Sequence, residues 1–265
     1  MPHQRFDRDI VSKRSLRCPR GRNSGMSSIF EFANPKKFMD LSGVLLPWVA
    51  GAAVLCLAAG LVLGFQTPPD YQQGDTVRIM FVHVPAAWTA MMAYGLMAVA
   101  SIVGLVNKHP LADVAARAAA PLGAVFTALG LITGSLWGKP MWGTWWVWDG
   151  RLTSFLLLLL LYLGYIALSD AFEDEAKAAR VCAVLAIVGA VNLPIIEFSV
   201  QWWTTLHQGE SILRKGGPAI AAVFLWPLFL MALGYTFLFF ALWVLRIRTA
   251  ILTRRKRSLM LKATP

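Results

Sequence analysis

Two histidines and a run of tryptophans carry most of the chemistry that this chain of 265 residues can offer. His83 lies in Phe81-Val82-His83-Val84-Pro85, and His207 lies in Trp202-Trp203-Thr204-Thr205-Leu206-His207-Gln208-Gly209. Between them runs Trp137-Gly138-Lys139-Pro140-Met141-Trp142-Gly143-Thr144-Trp145-Trp146-Val147-Trp148-Asp149-Gly150-Arg151. Imidazole is a common ligand of transition metals and of haem iron. Indoles are rigid apolar plates on which a flat ligand stacks at little cost in side-chain entropy. The combination points to a planar, iron-bearing ligand: haem, with His83 and His207 as axial ligands and Trp142, Trp145, Trp146, Trp148, Trp202 and Trp203 as its platform. Haem also carries two propionates, and Arg151 and Lys139, which bracket the Trp loop, are cations suited to grip them.

Each of these residues also has a plainer role. Tryptophans gather at membrane interfaces, yet seven of the eleven fall in two loops on one side of the chain's spans, which a belt on both faces does not explain. Lys139 and Arg151 would serve equally as interfacial anchors. Asp149 would hold the loop by accepting backbone or indole N–H groups, or cap the helix that follows it. Pro140, Gly138, Gly143 and Gly150 suit the tight turns of a short aromatic loop. If the stretch after Trp202 is helical, Trp203 and His207 share one face. His3 and His109 read as solvated. Glu197 is the one acidic residue within a span, which makes it either a functional carboxylate or one that reaches water at the span's end.

The elements that must position this set are membrane helices. The chain is 57% hydrophobic and only 15% charged, against about 25% for a soluble domain, and its mean hydropathy is +0.57. A bilayer core of about 30 Å needs about 20 apolar residues in a helix. Six segments qualify: Leu41–Phe65, Val84–Val106, Ala118–Trp137, Leu152–Leu168, Val181–Val200 and Ala219–Leu245. The expected fold is an all-α polytopic bundle of six transmembrane helices, with no soluble domain and no internal repeat.

An even number of spans puts both termini on one side, and the basic residues choose it. Twenty of the 25 Lys and Arg lie before Leu41, in 107–117, in 169–180 or from Arg246 onward. The other five are Arg78, Lys139, Arg151, Arg214 and Lys215. The positive-inside rule makes the first set cytoplasmic and the loops 66–83, 138–151 and 201–218 periplasmic. The net charge of +11 is therefore read as orientation, and the tract Arg254–Arg257, without interleaved aromatics, does not suggest nucleic acid. The chain divides into a basic cytoplasmic tail over 1–40, expected to be disordered, a six-span domain over 41–245, and a second basic tail over 246–265. Residues 1–25 have no apolar segment, so they are not a secretory signal; the alternative to a disordered tail is a start at Met26.

Several chemistries are excluded. Cys18, Cys56 and Cys182 form no CxxC pair, so neither dithiol exchange nor a covalent c-type haem site is available, and any haem is held non-covalently, as haem b. The sequence has no Walker A stretch, HExxH, GxSxG or paired carboxylates, so no independent enzymatic activity is expected.

Trp142-Gly-Thr-Trp145-Trp146-Val-Trp148-Asp149-Gly150-Arg151-Leu152-Thr153-Ser154 resembles the tryptophan-rich WWD signature of the haem-handling proteins of cytochrome c biogenesis. Asp70-Tyr71-Gln72-Gln73-Gly74, His83-Val84-Pro85-Ala86-Ala87 and the Trp202–Gly209 stretch extend the resemblance over about residues 40–245, to the six-span CcmC-type haem exporter proteins of the bacterial inner membrane. The resemblance implies haem held between the Trp loop and two axial histidines, at positions 83 and 207, and delivered to a periplasmic haem chaperone of the CcmE type. It further implies partners: an ABC transporter ATPase and membrane subunit of the CcmA and CcmB types, and a small single-span subunit of the CcmD type. Gly150 departs from the pattern, where Ala or Pro is usual, and would loosen the loop. The tail before Met26 has no counterpart in the family.

Two other functions compete. A cytochrome b-type membrane oxidoreductase would favour histidines at mid-depth in the spans, and none is there. A protein that itself carries haem across the bilayer would place polar groups near the midplane, and these spans have few. Reporter fusions inserted in 138–151 should read periplasmic; a cytoplasmic reading would overturn the topology.

Overall fold

The computed structural model describes residues 34–109, 111–207, 217 and 220–263. The basic stretch 1–25, the question of a start at Met26, Gln208-Gly209, and Arg214 and Lys215 lie outside them. Six helices are long and apolar enough to cross a membrane. They are built from α1 (Pro35–Gln66), α2 (Met80–Asn107), α3 (Ala112–Trp142), α4 (Gly150–Ala171), the pair α5 (Glu175–Gly189) and α6 (Asn192–Trp202), and α7 (Ala222–Ala263). Among the described residues there is no strand, only an isolated bridge between Asp70 and Gly74. The protein is an all-α, multi-pass membrane bundle.

Small residues set how closely the helices approach. Lipid is as apolar as leucine, so membrane helices associate through close packing and small side chains at their interfaces. Ala86, Ala90 and Ala93 of α2 and Ala116, Ala119 and Ala120 of α3 are all buried where these two helices pack. On the other side α1 lies along α7, where Gly60 faces Met231 and Gly234 faces Leu57. The Arg248 guanidinium fastens the basic end of that pair by donating to the Met39 carbonyl and to Ser42 Oγ, both at 2.6 Å.

The fifth span is broken. Pro194 has no N–H to return to the Ala190 carbonyl, and the helix stops at Gly189 and restarts at Asn192. The buried Asn192 amide donates to the Ser154 carbonyl at 2.8 Å, tying the break to α4. Below the break α5 packs on both α2 and α4, whereas α6 packs mainly on α4. The break therefore lets the upper half of the span lean with α4, and space opens between α6 and α2 at the Trp-loop end.

Three boundaries differ from the sequence reading. Helix α3 runs on through Pro140 to Trp142, because Trp142 folds back on Gly138 and Gly143, at φ 75°, closes the helix with its N–H on the Lys139 carbonyl. Helix α2 begins at Met80, after a 3-10 turn over Asp75–Ile79. Helix α7 continues through the basic segment from Arg246 to Ala263, about 63 Å in all at 1.5 Å per residue. The reason is composition: from Tyr235 to Ala263 there is no Gly or Pro, and Leu, Arg, Lys, Met and Ala are strong helix formers.

Two glycines are covered most closely among the described residues: an added Cβ would lie 2.1 Å from the Tyr162 ring at Gly123 and 2.1 Å from the Tyr94 hydroxyl at Gly189. Tyr162 is fully buried and donates to the Ala90 carbonyl at 2.8 Å, so it has nowhere to move. Gly123→Ala should lower stability by about 1–3 kcal/mol, read as a drop in the thermal unfolding midpoint in detergent. Gly51→Ala, inside α1 and with no other part of the protein within 4 Å of the new methyl, should hold or raise it through the better helix propensity of Ala; equal midpoints for both would contradict this packing.

Candidate functional site

At the Trp-loop end the helices enclose a cavity of about 850 Å³. Its floor is apolar, from Met91, Phe155, Ile196 and Phe224, and its upper wall carries His83, His207, Arg151 and Glu197. Small-molecule sites are typically concave and apolar with a few placed polar groups, in this size range.

His83 projects from the first turn of α2. Its Nδ1–H donates to the Gly130 carbonyl at 3.0 Å and also meets Thr133 Oγ1 at 3.2 Å. The Thr133 hydroxyl proton is already committed to the Leu129 carbonyl at 2.7 Å, so Thr133 can only accept from the ring. The proton therefore sits on Nδ1, which leaves the Nε2 lone pair available. The ring fits because Gly134 has no side chain, since a Cβ there would stand 2.9 Å from His83 Cε1. Trp137 packs edge-on against the imidazole, centroids 5.7 Å apart, and is held by its own Nε1–H donated to Gln73 Oε1 at 3.1 Å.

His207 reaches the same cavity from a loop. Helix α6 ends at Trp202 and Trp203 is extended, so the helical register that would align Trp203 with His207 is absent. Thr205 supplies the positioning instead. Its hydroxyl makes a short hydrogen bond to Asp149 Oδ2 and accepts the His207 backbone N–H at 3.1 Å. His207 Nδ1 lies 3.2 Å from the same Asp149 oxygen, and Trp142 packs edge-on against the ring at 4.8 Å. Each imidazole thus has its Nδ1 engaged by an acceptor and an indole beside it.

Asp149 performs both of the jobs the sequence left open. Oδ1 caps α4 by accepting Leu152 N–H at 2.7 Å, and Oδ2 holds Thr205 and His207. Burial alone would raise its pKa, but the hydrogen bonds from Thr205 and Leu152 and the nearby His207 outweigh it and hold the carboxyl below its ordinary range. That contribution to stability is present above the ordinary carboxylate pKa and is lost as pH falls through the lowered folded value. Burial lowers the pKa of His207 despite the opposing pull of Asp149, which favours the neutral imidazole. Because the unfolded chain binds the proton more readily, this group favours the folded state less as pH falls below 6.5.

The other sequence candidates divide. Arg151 lines the cavity, as do Trp142 and the two histidines. Trp145, Trp146, Trp148, Trp202 and Trp203 do not; they form a shell outside it, in which Trp148 is 75% exposed. Among the described residues the buried Trp146 indole N–H has no hydrogen-bond partner. Lys139 donates to the Gly143 carbonyl at 3.0 Å and lies 5.8 Å from the Trp145 ring, so it braces the Trp loop and does not face the cavity. Gly150 does not leave a gap: Trp203 covers it so closely that a Cβ would stand 2.9 Å from the indole. Sequence reasoning did not single out Gly130, Thr133, Gly134, Gln73 and Thr205 as supports. Thr205 lies two residues from His207, but nothing in the sequence links His83 to positions 47–51 residues away.

The chain is similar to known proteins along most of its length. It matches the family described as heme exporter protein C over residues 28–262. It belongs to that family. The heme exporter protein C of Bradyrhizobium diazoefficiens is 55% identical over 88% of this chain and 89% of its own length. Those of Paracoccus denitrificans and Escherichia coli K12 are 50% and 47% identical, covering 88% and 87% of this chain and 97% and 93% of theirs.

The double duty of Asp149 can be separated. Asparagine still caps a helix but carries no charge, whereas alanine does neither. Thermal unfolding should rank wild type above Asp149→Asn and Asp149→Ala lowest, the last step being about 1 kcal/mol. Three equal midpoints would show that the carboxylate holds nothing together.

Proposed function

We propose that this protein binds haem b in the cavity, with His83 and His207 as axial ligands through Nε2, and passes it to a periplasmic haem chaperone of the CcmE type for cytochrome c maturation. One observation carries the reading: two imidazoles from separate elements line one cavity, each with Nδ1 held by an acceptor and, among the described residues, Nε2 without a hydrogen-bond partner. Orienting a ligand histidine through its other nitrogen is the usual second layer of a metal site. Among the described residues no cluster of three or more His, Cys, Asp or Glu could hold a bare ion. Two histidines suit an iron that brings four equatorial nitrogens of its own.

Haem here is cargo. The apolar floor takes the porphyrin body, Trp137 and Trp142 flank the two ligands, and Arg151, which has no ion pair or side-chain hydrogen bond among the described residues, faces a propionate. Trp145, Trp146, Trp148, Trp202 and Trp203 form the surface on which the chaperone meets the haem edge, with Lys139 bracing the loop. Membership of the family supports a role in heme export, within a complex that includes an ABC transporter ATPase and membrane subunit of the CcmA and CcmB types and a small CcmD-type subunit. The setting is the bacterial inner membrane, the 20 basic residues facing the cytoplasm with both termini and the cavity facing the periplasm.

His83→Ala and His207→Ala should each weaken haem retention and change the visible absorption spectrum of the purified protein. Unchanged spectra in both would remove the bis-histidine assignment. Replacing Trp145 and Trp146 together by Ala should leave haem bound but reduce its capture by the chaperone about tenfold or more, the effect expected of losing two aromatic anchors at an interface; normal capture by a folded variant would contradict the proposed surface.

A further inference from the structure

We infer that Glu197 is a counter-ion that competes with the bound ligand's carboxylate for Arg151 and so keeps the ligand releasable. The inference rests on the haem reading above. Arg151 on α4 and Glu197 on α6 both line the cavity, and these two helices pack against each other. Asp149 is fully engaged by Leu152, Thr205 and His207. Glu197, an exposed residue at the middle of α6, lines the same cavity as Arg151 and makes no hydrogen bond or ion pair among the described residues. Among the described residues the cavity wall therefore holds a cation and an anion on packed helices with no ion pair between them, while its other carboxylate, Asp70, accepts the Gln72 and Gln73 N–H groups.

This arrangement has a physical consequence for a dianionic cargo. A partly buried cation alone would bind a propionate tightly and, once empty, would be left without a counter-charge, which is costly where solvent is scarce. A carboxylate on the facing helix offsets that cost in the empty state. In the loaded state it opposes the propionate by like-charge repulsion across the cavity, and because Glu197 is exposed this repulsion weakens as salt is added. Both effects weaken retention, and neither touches the iron. Glu197 is thus a positioning residue for Arg151, tuned for transfer and not for storage. It also explains why an acidic side chain stands within a span, where ionisable groups are otherwise rare.

The test uses the purified full-length protein loaded with haem, with loss measured as transfer to excess apomyoglobin. Glu197→Gln should slow haem loss about tenfold, equivalent to about 1.4 kcal/mol, with an unchanged absorption spectrum, and Glu197→Asp should lose haem like wild type. Haem dimethyl ester has no propionate charge, so wild type and Glu197→Gln should release it at the same rate. In an Arg151→Gln background the Glu197→Gln effect should vanish, since a double-mutant cycle isolates the coupling. Equal haem loss from wild type and Glu197→Gln, or the same slowing with the dimethyl ester, would overturn the counter-ion role. Glu197→Ala, a second neutral variant, decides the question if the Gln variant folds poorly. Failure of the haem reading itself would look different: wild type would take up no haem.

Discussion

The Asp149 carboxylate is the constraint on which the rest of the site depends. One oxygen starts α4 and the other binds Thr205 and His207, so the beginning of a membrane helix and the position of a loop histidine are fixed by the same group. A loop residue is ordinarily free to move on the nanosecond scale. Here three polar contacts tie it to a helix end, and the helix end is in turn held in the bundle by the Asn192 amide on the Ser154 carbonyl. The anchor extends from the α5–α6 break to the cavity wall.

His83 is held by the opposite strategy. It belongs to a helix, and its acceptors are the backbone of a second helix, Gly130, and a hydroxyl already spoken for, Thr133. The two imidazoles consequently stand on independently anchored parts of the molecule, one on the rigid α2–α3 pair and one on the loop roped to α4. A ligand bound between them bridges the two parts. The break in the fifth span serves the same end, because a straight helix packed along α2 would fill the space the cavity occupies.

Much of this was legible in the sequence, and the reasons are physical. Twenty-residue apolar runs can do little else but span a membrane, so the six helices and the class of fold follow directly. The Trp-rich segment and the two histidines stood out because bulky aromatics and imidazoles concentrated in short loops need an explanation. Contacts that depend on which helix lies opposite were hidden. Gly130, Thr133 and Gly134 became meaningful only when α3 was seen beside His83, and Lys139 and Arg151, alike by type, proved to face different ways. The Trp loop itself splits, with Trp137 and Trp142 beside the histidines and the rest outside, a division that turns on α3 running on to Trp142. The extension of α7 through the basic segment shows that a run of charge does not by itself end a helix.

The proposed function requires two histidines of this chain, held on separate elements, to ligate one iron. Electron paramagnetic resonance of the ferric, haem-loaded protein grown with ¹⁵N-histidine tests it most directly. A low-spin signal with coupling to two histidine nitrogens is the predicted result. A high-spin ferric signal, or coupling to a single histidine nitrogen, would contradict it.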